Sequence, residues 1–322
     1  MGYLHINNLY RDQVILMFRE CYALEKIHGT SAHITFNFTS GDFWSAKFFS
    51  GGESYTKFVS LFDQVKLQTA VKDLDIPIDK EITVFGEAYG GSQQGMSHTY
   101  GKELKFIVFD IKIGDNFLSV PDAEDVAKKL GLEFVHYTKV PLVKWGESGN
   151  EVVTDLRHID AERDMPSVQA VRNGVSTPEA FMKGEGPGRE GVVLRPLIEM
   201  TLNNGQRVIV KHKGDKFKET ATPRPVVDPS KLKVLSDATA VANEWTTNTR
   251  LEHILQKIQP ARLNGEIPEF DMSQVPQIIK AMIEDVLREG EGEIVVSESV
   301  KKAIGKKAIE LFKGFLNSQI SK

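Results

Sequence analysis

The chain has 322 residues, 41% of them hydrophobic and 26% charged, with a formal net charge of −4. That length and balance suit one large or two ordinary globular domains with a sizeable core, and the acidic total excludes a protein coated all over in nucleic acid. Cys21 is the single cysteine, which excludes an intrachain disulfide framework and makes a reducing compartment the default; Cys21 itself reads as a buried strand residue. The start, Met1-Gly2-Tyr3-Leu4-His5, lacks a basic segment followed by an apolar run, and nowhere do about 18 uncharged apolar residues follow one another. Neither a secretory leader nor a membrane span is expected, and the default is a cytoplasmic monomer.

Residues 12–20 read as a short helix or a strand, since period alone does not separate the two. Residues 22–26 are predicted as a strand, 31–38 alternate as a second, Ser40-Gly41-Asp42 turns, and 43–49 form a third. Together these make an antiparallel meander with Lys26 at the end of its first strand, and Gly29 lets the backbone approach a ligand closely. Residues 54–70 are predicted as one amphipathic helix. A second strand group covers 82–87, passes through a glycine-rich loop to Gly95 and resumes at 104–113; Pro121, with Asp122 and Glu124 beside it, opens a short helix. Residues 134–182 give a mixed pattern. The last strand pair, 190–196 and 206–213, is joined through Asn203-Asn204-Gly205.

Pro223, Pro225 and Pro229 then stiffen the chain without packing it. They divide it into a first domain over 1–222, a linker at 223–230 and a second domain over 231–322. Beyond the linker the period is helical. One helix has Ser273 as a candidate cap and Val275, Ile278, Ile279, Met282, Ile283, Val286 and Leu287 as its apolar stripe, ending at Gly290. A second carries Val300, Ile304, Ala308, Phe312 and Leu316, and a third covers about 235–258. Basic residues gather at Arg207, Lys211, Lys213, Lys216 and Lys218, and again at Lys301, Lys302, Lys306, Lys307 and Lys313, local patches of a kind that can hold phosphates.

The stretch Glu25-Lys26-Ile27-His28-Gly29-Thr30 sets one lysine between an acid and a glycine turn. A lysine amine has a reference pKa of about 10.4, so it attacks only where nearby cations, a metal or desolvation favour its neutral form. Four further stretches supply what attack by Lys26 on the α-phosphate of a nucleotide needs. Lys211 and Lys213, two apart on one strand, share a face from which they would meet the phosphate oxygens. Glu190 offers a hard oxygen ligand for Mg²⁺, Glu87 a carboxylate for the ribose hydroxyls and Phe109 an aromatic face for the base. His28 would meet the leaving pyrophosphate.

In that order, Glu25–Thr30, Phe85-Gly86-Glu87, residues 106–111, Glu190-Gly191-Val192-Val193-Leu194-Arg195-Pro196 and Val210-Lys211-His212-Lys213 resemble the nucleotidyl motifs of the covalent nucleotidyltransferases, which comprise ATP-dependent DNA and RNA ligases and messenger RNA capping enzymes. The histidine before Gly29, and the Lys-X-Lys followed by Gly214-Asp215-Lys216-Phe217, are most similar to the phage-type RNA ligase 2 branch. Thr247-Asn248-Thr249-Arg250-Leu251-Glu252-His253-Ile254-Leu255-Gln256-Lys257-Ile258 resembles the helical C-terminal domain of that branch.

The resemblance implies an α+β protein. Its N-terminal nucleotidyltransferase domain, ATP-grasp-like, would be built of antiparallel sheets with flanking helices, and a small all-α domain would follow. It implies an ATP-dependent RNA ligase with a Mg²⁺ requirement, Mn²⁺ being an alternative, that carries AMP on Lys26, passes it to a 5′-phosphate RNA end and joins that end to a 3′-hydroxyl, with nicks in duplex RNA as the expected substrate. By the same resemblance Glu25, Ile27, Gly29, Lys47, Glu87 and Phe109 surround the nucleotide. Lys211 and Lys213 bind its phosphate, Glu190 serves metal and catalysis, and Arg195, Lys216 and Lys218 meet the RNA. Three positions depart from the family: Arg195 replaces a lysine, Ser31 replaces an asparagine, and Phe48 replaces an arginine after the strand lysine Lys47. The contacts to the RNA 3′ end are therefore expected to be rearranged. Two other readings are a relative acting on DNA ends and a non-catalytic RNA-binding repair scaffold. The helical period beyond the linker disfavours the β-barrel of a DNA ligase or capping enzyme, and the retention of Lys26, Glu87, Glu190, Lys211 and Lys213 disfavours the scaffold.

Overall fold

A computed structural model of the chain describes residues 2–40, 43–74, 76–77, 79–147, 151–226, 234–259, 262 and 269–320. The fold is α+β, with antiparallel sheets, and divides into two compact units, Met1–Gly214 and Asp215–Lys322. In chain order the strands of the first are β1 (Asn7–Asn8), β2 (Glu20–Lys26), β3 (Thr30–Ser40), β4 (Phe43–Ser50), β5 (Ile82–Gly90), β6 (Leu104–Ile113), β7 (Asn116–Phe117), β8 (Tyr137–Pro141), β9 (Val143–Trp145), β10 (Val152–Thr154), β11 (Gly191–Arg195) and β12 (Val210–Lys213). Its helices are α1 (Tyr55–Val59), α2 (Gln64–Lys72), α3 (Ser97–Tyr100), α4 (Val120–Lys129), α5 (Arg157–Asp164), α6 (Val168–Arg172) and α7 (Pro178–Met182).

One sheet has the order β1-β12-β11-β2-β8, with only the β1–β12 pair parallel; the other, β4-β3-β5-β6-β7, is antiparallel throughout, and β9 and β10 form a separate hairpin. The predicted meander does not form. β2 lies between β11 and β8, with Lys26 opposite Gly191 and Glu20 opposite Pro141, and the chain crosses to the other sheet through Ile27, His28 and Gly29 before β3 begins. Alternation along a strand reports which face is buried and says nothing about its lateral neighbour. Residues 12–20 resolve into a 3₁₀ turn at Val14–Met17. The helix predicted over 54–70 is two, because Asp63 accepts a hydrogen bond from the Lys66 amide and starts α2 afresh. Cys21 is buried, as its strand context implied, and burial pushes its thiol up to about 12. Gly41 and Asp42 of the expected turn lie outside the described residues.

Gly29 is needed for space: a Cβ there would lie 2.3 Å from the Ala88 carbonyl oxygen of β5. Gly191 is needed for the same reason, with the His212 carbonyl oxygen of β12 at 2.2 Å from a built Cβ. Both glycines let strands that carry site residues approach one another.

The second unit is helical: α8 (Ala238–Trp245), α9 (Asn248–Ile258), α10 (Val275–Glu289) and α11 (Glu298–Ile320). The single helix expected over 235–258 is broken where Thr247 accepts from the Arg250 amide and caps α9. Asp271, and not Ser273, makes the cap ahead of α10, in a reciprocal box with Gln274. Val241, Trp245, Leu251, Ile254, Ile278, Met282, Val286, Val300, Ile304 and Phe312 form its core, so the apolar stripes do pack together. The expected linker is partly drawn into this unit. Arg224 pairs with Glu244 and Glu293, each at 3.2 Å, and the Ala221 amide donates to the Glu244 carbonyl; residues 227–230 lie outside the described residues. Upstream of the prolines, Glu219 pairs with buried Arg250 at 3.3 Å, and the division between the units falls at Gly214, ahead of the proline-rich stretch.

Candidate active site

Sheet register assembles the site. Gly191 stands opposite Lys26 on one side and Lys213 on the other, so the residue before it, Glu190, is delivered between the two lysines. Lys26 Nζ donates to Glu190 Oε2 at 2.8 Å, His28 Nδ1 lies 3.0 Å from the same oxygen, and Lys213 Nζ is 3.1 Å from Oε1. Burial of Glu190 works to raise its pKa, but Lys26, Lys213 and His28 outweigh it and hold the carboxyl well below the ordinary carboxylate range. Lys211 precedes Lys213 by two residues on β12 and is partly buried on the same face.

Glu87 approaches from β5, where its Oε1 accepts from the Gly29 amide at 3.1 Å. Burial pushes this carboxyl up to about 7; Lys26 pulls it down and Glu190 adds to the rise. The two carboxyls nearest Lys26 are thus driven in opposite directions, the pattern expected where acids share a site but not a task.

The sign for stability follows. A raised carboxyl favours the fold below its unfolded pKa and loses that contribution as pH rises through the folded value, here between about 4.5 and about 7. Glu87→Gln removes the penalty of ionisation while keeping an acceptor for Gly29. We expect it to melt higher than the parent at pH 8, by about 1–2 kcal/mol after allowing for partial exposure, and equal to it at pH 5. Thermal melts at both pH values check this, and a gain of the same size at pH 5 would rule out ionisation as its cause.

His28 is buried at 8% exposure, and its backbone amide donates to the Tyr100 hydroxyl at 3.3 Å. Tyr100, at the end of α3, is raised well above the usual phenol range by burial and then by Glu25, Glu190 and Glu87. Glu25 projects to the other face of β2 from Lys26. Both its oxygens are engaged at the start of α6, by the Ser167 hydroxyl at 2.5 Å and the Val168 amide at 3.0 Å. Ile27 is buried.

Phe109 sits at a β-bulge. The β5–β6 register pairs Phe85 with Asp110 and Gly86 with Val108, which leaves Phe109 without an opposite residue. Its ring meets Tyr3 edge-on at 4.9 Å. Lys47 is exposed on β4, while Phe48 on the opposite face packs against Phe58 and Phe62, which accounts for an aromatic there. Ser31 stands opposite Glu87, with its hydroxyl buried and unpartnered among the described residues.

Arg195, expected at the RNA, is instead 1% exposed. Its guanidinium donates to Asp110 Oδ1 at 3.1 Å, to the Phe109 carbonyl at 3.4 Å, to the Leu118 carbonyl at 2.6 Å and to Glu199 at 2.8 Å. Arg207, counted from the sequence among phosphate-binding bases, belongs to the same buried network: it donates to Glu199 at 2.7 Å, to the Tyr3 hydroxyl at 3.0 Å and to Asp110. An Asp inside the apolar run 106–111 was the signal that a buried cation had to be found for it. Nothing in the sequence points to Tyr100 or Ser167. Lys216 and Lys218 fall in the second unit, Lys216 exposed in a 3₁₀ turn and Lys218 paired with Asp215.

Among the described residues no group of three or more His, Cys, Asp or Glu is placed to hold a metal. What is present is one buried, ionised carboxylate, Glu190, facing the lysines. That suits a hard cation whose other oxygens come from phosphates and water.

Residues 19–213 match the family described as RNA ligase. Among solved structures, the chain is similar to an apo mutant of a Naegleria gruberi RNA ligase (15% identity, TM-score 0.45, 67% of this chain and 57% of that one). It is similar also to the Naegleria gruberi RNA ligase with PPi (17% identity, TM-score 0.44, 67% and 57%) and to a mutant of that ligase with ATP and Mn (16% identity, TM-score 0.43, 67% and 56%). The match therefore spans well under two thirds of those chains.

Proposed function

The chain belongs to the RNA ligase family, and on that premise we propose that it is an ATP-dependent RNA ligase of the RNA ligase 2 type that works through a lysyl-AMP on Lys26. The observation that carries the reading is the junction of Lys26, His28 and Lys213 on one buried carboxylate, Glu190.

In the proposed reaction Lys26 Nζ attacks the α-phosphorus of ATP, an N–P bond forms, the bond to pyrophosphate breaks and the amine sheds a proton. Glu190, ionised and 2.8 Å away, orients the lysine before attack. Lys213 and Lys211 lie on one strand beside it, where they would meet charge developing on the phosphate oxygens. Glu190 would hold a Mg²⁺ or Mn²⁺ ion, which would supply positive charge against the phosphates. In this reading Glu87 would meet the ribose and Phe109 the base. The AMP then passes to a 5′-phosphate RNA end, where attack by a 3′-hydroxyl forms the phosphodiester and frees AMP. A nick in duplex RNA is the substrate we assign.

The test is a chase. Purified protein incubated with α-labelled ATP and Mg²⁺ should take label, then pass it to a 5′-phosphorylated nicked duplex RNA and yield sealed strand. Sealing of nicked DNA in preference to RNA would overturn the substrate, and absence of label with ATP would overturn the reaction.

A further inference from the structure

Positive charge accumulates on the last helix of this acidic chain. α11 carries five lysines against two glutamates, a surplus of three, while the whole chain stands at −4. The two glutamates are already engaged: Lys301 donates to Glu298 and Lys307 to Glu310, each at 2.8 Å. Lys302, Lys306 and Lys313 are exposed and form no ion pair with the described residues. Lys302 lies one turn from Glu298, but Lys301 holds that carboxylate.

The three unpaired lysines are not scattered. At about 100° per residue they fall within about 40° of one another, on the side of α11 opposite Val300, Ile304, Ala308 and Phe312, which are packed in the core. With a rise of about 1.5 Å per residue they form a straight row about 16 Å long. Paired acids beside lysines that form no ion pair with the described residues, all on the outer face of one helix, make a strip of net positive charge. Such a surface suits a partner recognised by charge alone.

We propose that Lys302, Lys306 and Lys313 bind the phosphate backbone of RNA, whose charges recur every few ångströms along the strand. This inference rests on the RNA ligase reading given above. Binding through such a row is indifferent to sequence and weakens steeply with salt.

The test uses the full chain with Lys302→Gln, Lys306→Gln and Lys313→Gln combined; glutamine keeps helix propensity close to that of lysine. Binding of a fluorescent duplex RNA carrying one nick is titrated over a range of salt. The slope of log affinity against log salt should fall by about 2 to 3, with a loss of about tenfold or more in affinity at low salt. Helical circular dichroism and labelling by ATP should stay as in the parent. Lys301→Gln with Lys307→Gln, which removes only paired lysines, should leave the slope nearly unchanged. Parental affinity and slope in the triple variant overturn the proposal, as does an equal loss in the paired-lysine control. If the triple variant folds poorly, Lys306→Gln alone should still lower the slope by about 1. A parent that binds RNA but never takes label from ATP defeats the ligase reading while leaving the binding row intact, so the two failures are distinguishable.

Discussion

Lys26→Ala should take no label from α-labelled ATP, a loss of about a thousandfold or more that reaches the detection limit, because the proposed nucleophile is gone. Its fold should survive. Removing one partner of a buried ion pair ordinarily costs about 3–5 kcal/mol, but Glu190 keeps Lys213 at 3.1 Å and His28 at 3.0 Å, so the remaining charge is not orphaned. We expect a stability cost of about 1–2 kcal/mol, read by thermal melting beside the labelling assay. Persistent labelling of the variant would remove Lys26 from the mechanism, and collapse of the fold would show that Lys213 and His28 do not compensate.

Asp110→Ala should be the most damaging single change to stability. Asp110 is wholly buried and accepts from Tyr3 at 2.6 Å, from Arg195 at 3.1 Å and from Arg207. Without it two buried guanidinium groups share Glu199 alone, one positive charge goes uncompensated, and about 3–5 kcal/mol is lost, or about 10 °C in melting temperature for a chain of this size. Arg195→Lys should cost less, about 1–3 kcal/mol, since it keeps the charge but cannot reach Asp110, Glu199 and the Phe109 and Leu118 carbonyls at once. A drop below about 1 kcal/mol for Asp110→Ala would mean that water enters the network on its removal.

The contrast between these two sites separates what the sequence discloses from what it hides. Lys26, Glu190 and Lys213 were picked out because attack by a lysine on a nucleotide needs cations for the phosphates and an oxygen ligand for a metal, and the structure brings these three side chains together. Arg195 was misread because charge in a motif looks alike whether it faces solvent or a buried aspartate. Its acceptors, Asp110, Glu199 and the Phe109 and Leu118 carbonyls, come together only in the fold. The strand at 31–38 was legible from alternation and those at 22–26 and 82–87 from their residue types, yet their sheets were not: β2 pairs with segments far away in sequence, and pairing over such distances leaves no local trace. Tyr100 and Ser167 contribute through one hydroxyl each, and a hydroxyl position has no signature until the backbone brings it to Glu25 or His28.

The placement of β2 between β8 and β11 also bears on biosynthesis. Lys26, the proposed nucleophile, leaves the ribosome early, whereas Glu190, Lys213 and the strands that carry them are among the last parts of the first unit to be made. A nascent chain that stops short of β11 has Lys26 on a strand edge not yet paired with β11, without Glu190 beside it. Under the proposed reaction, translation must therefore run nearly to the end of that unit before ATP can be used, and until then one edge of β2 is open to mispairing.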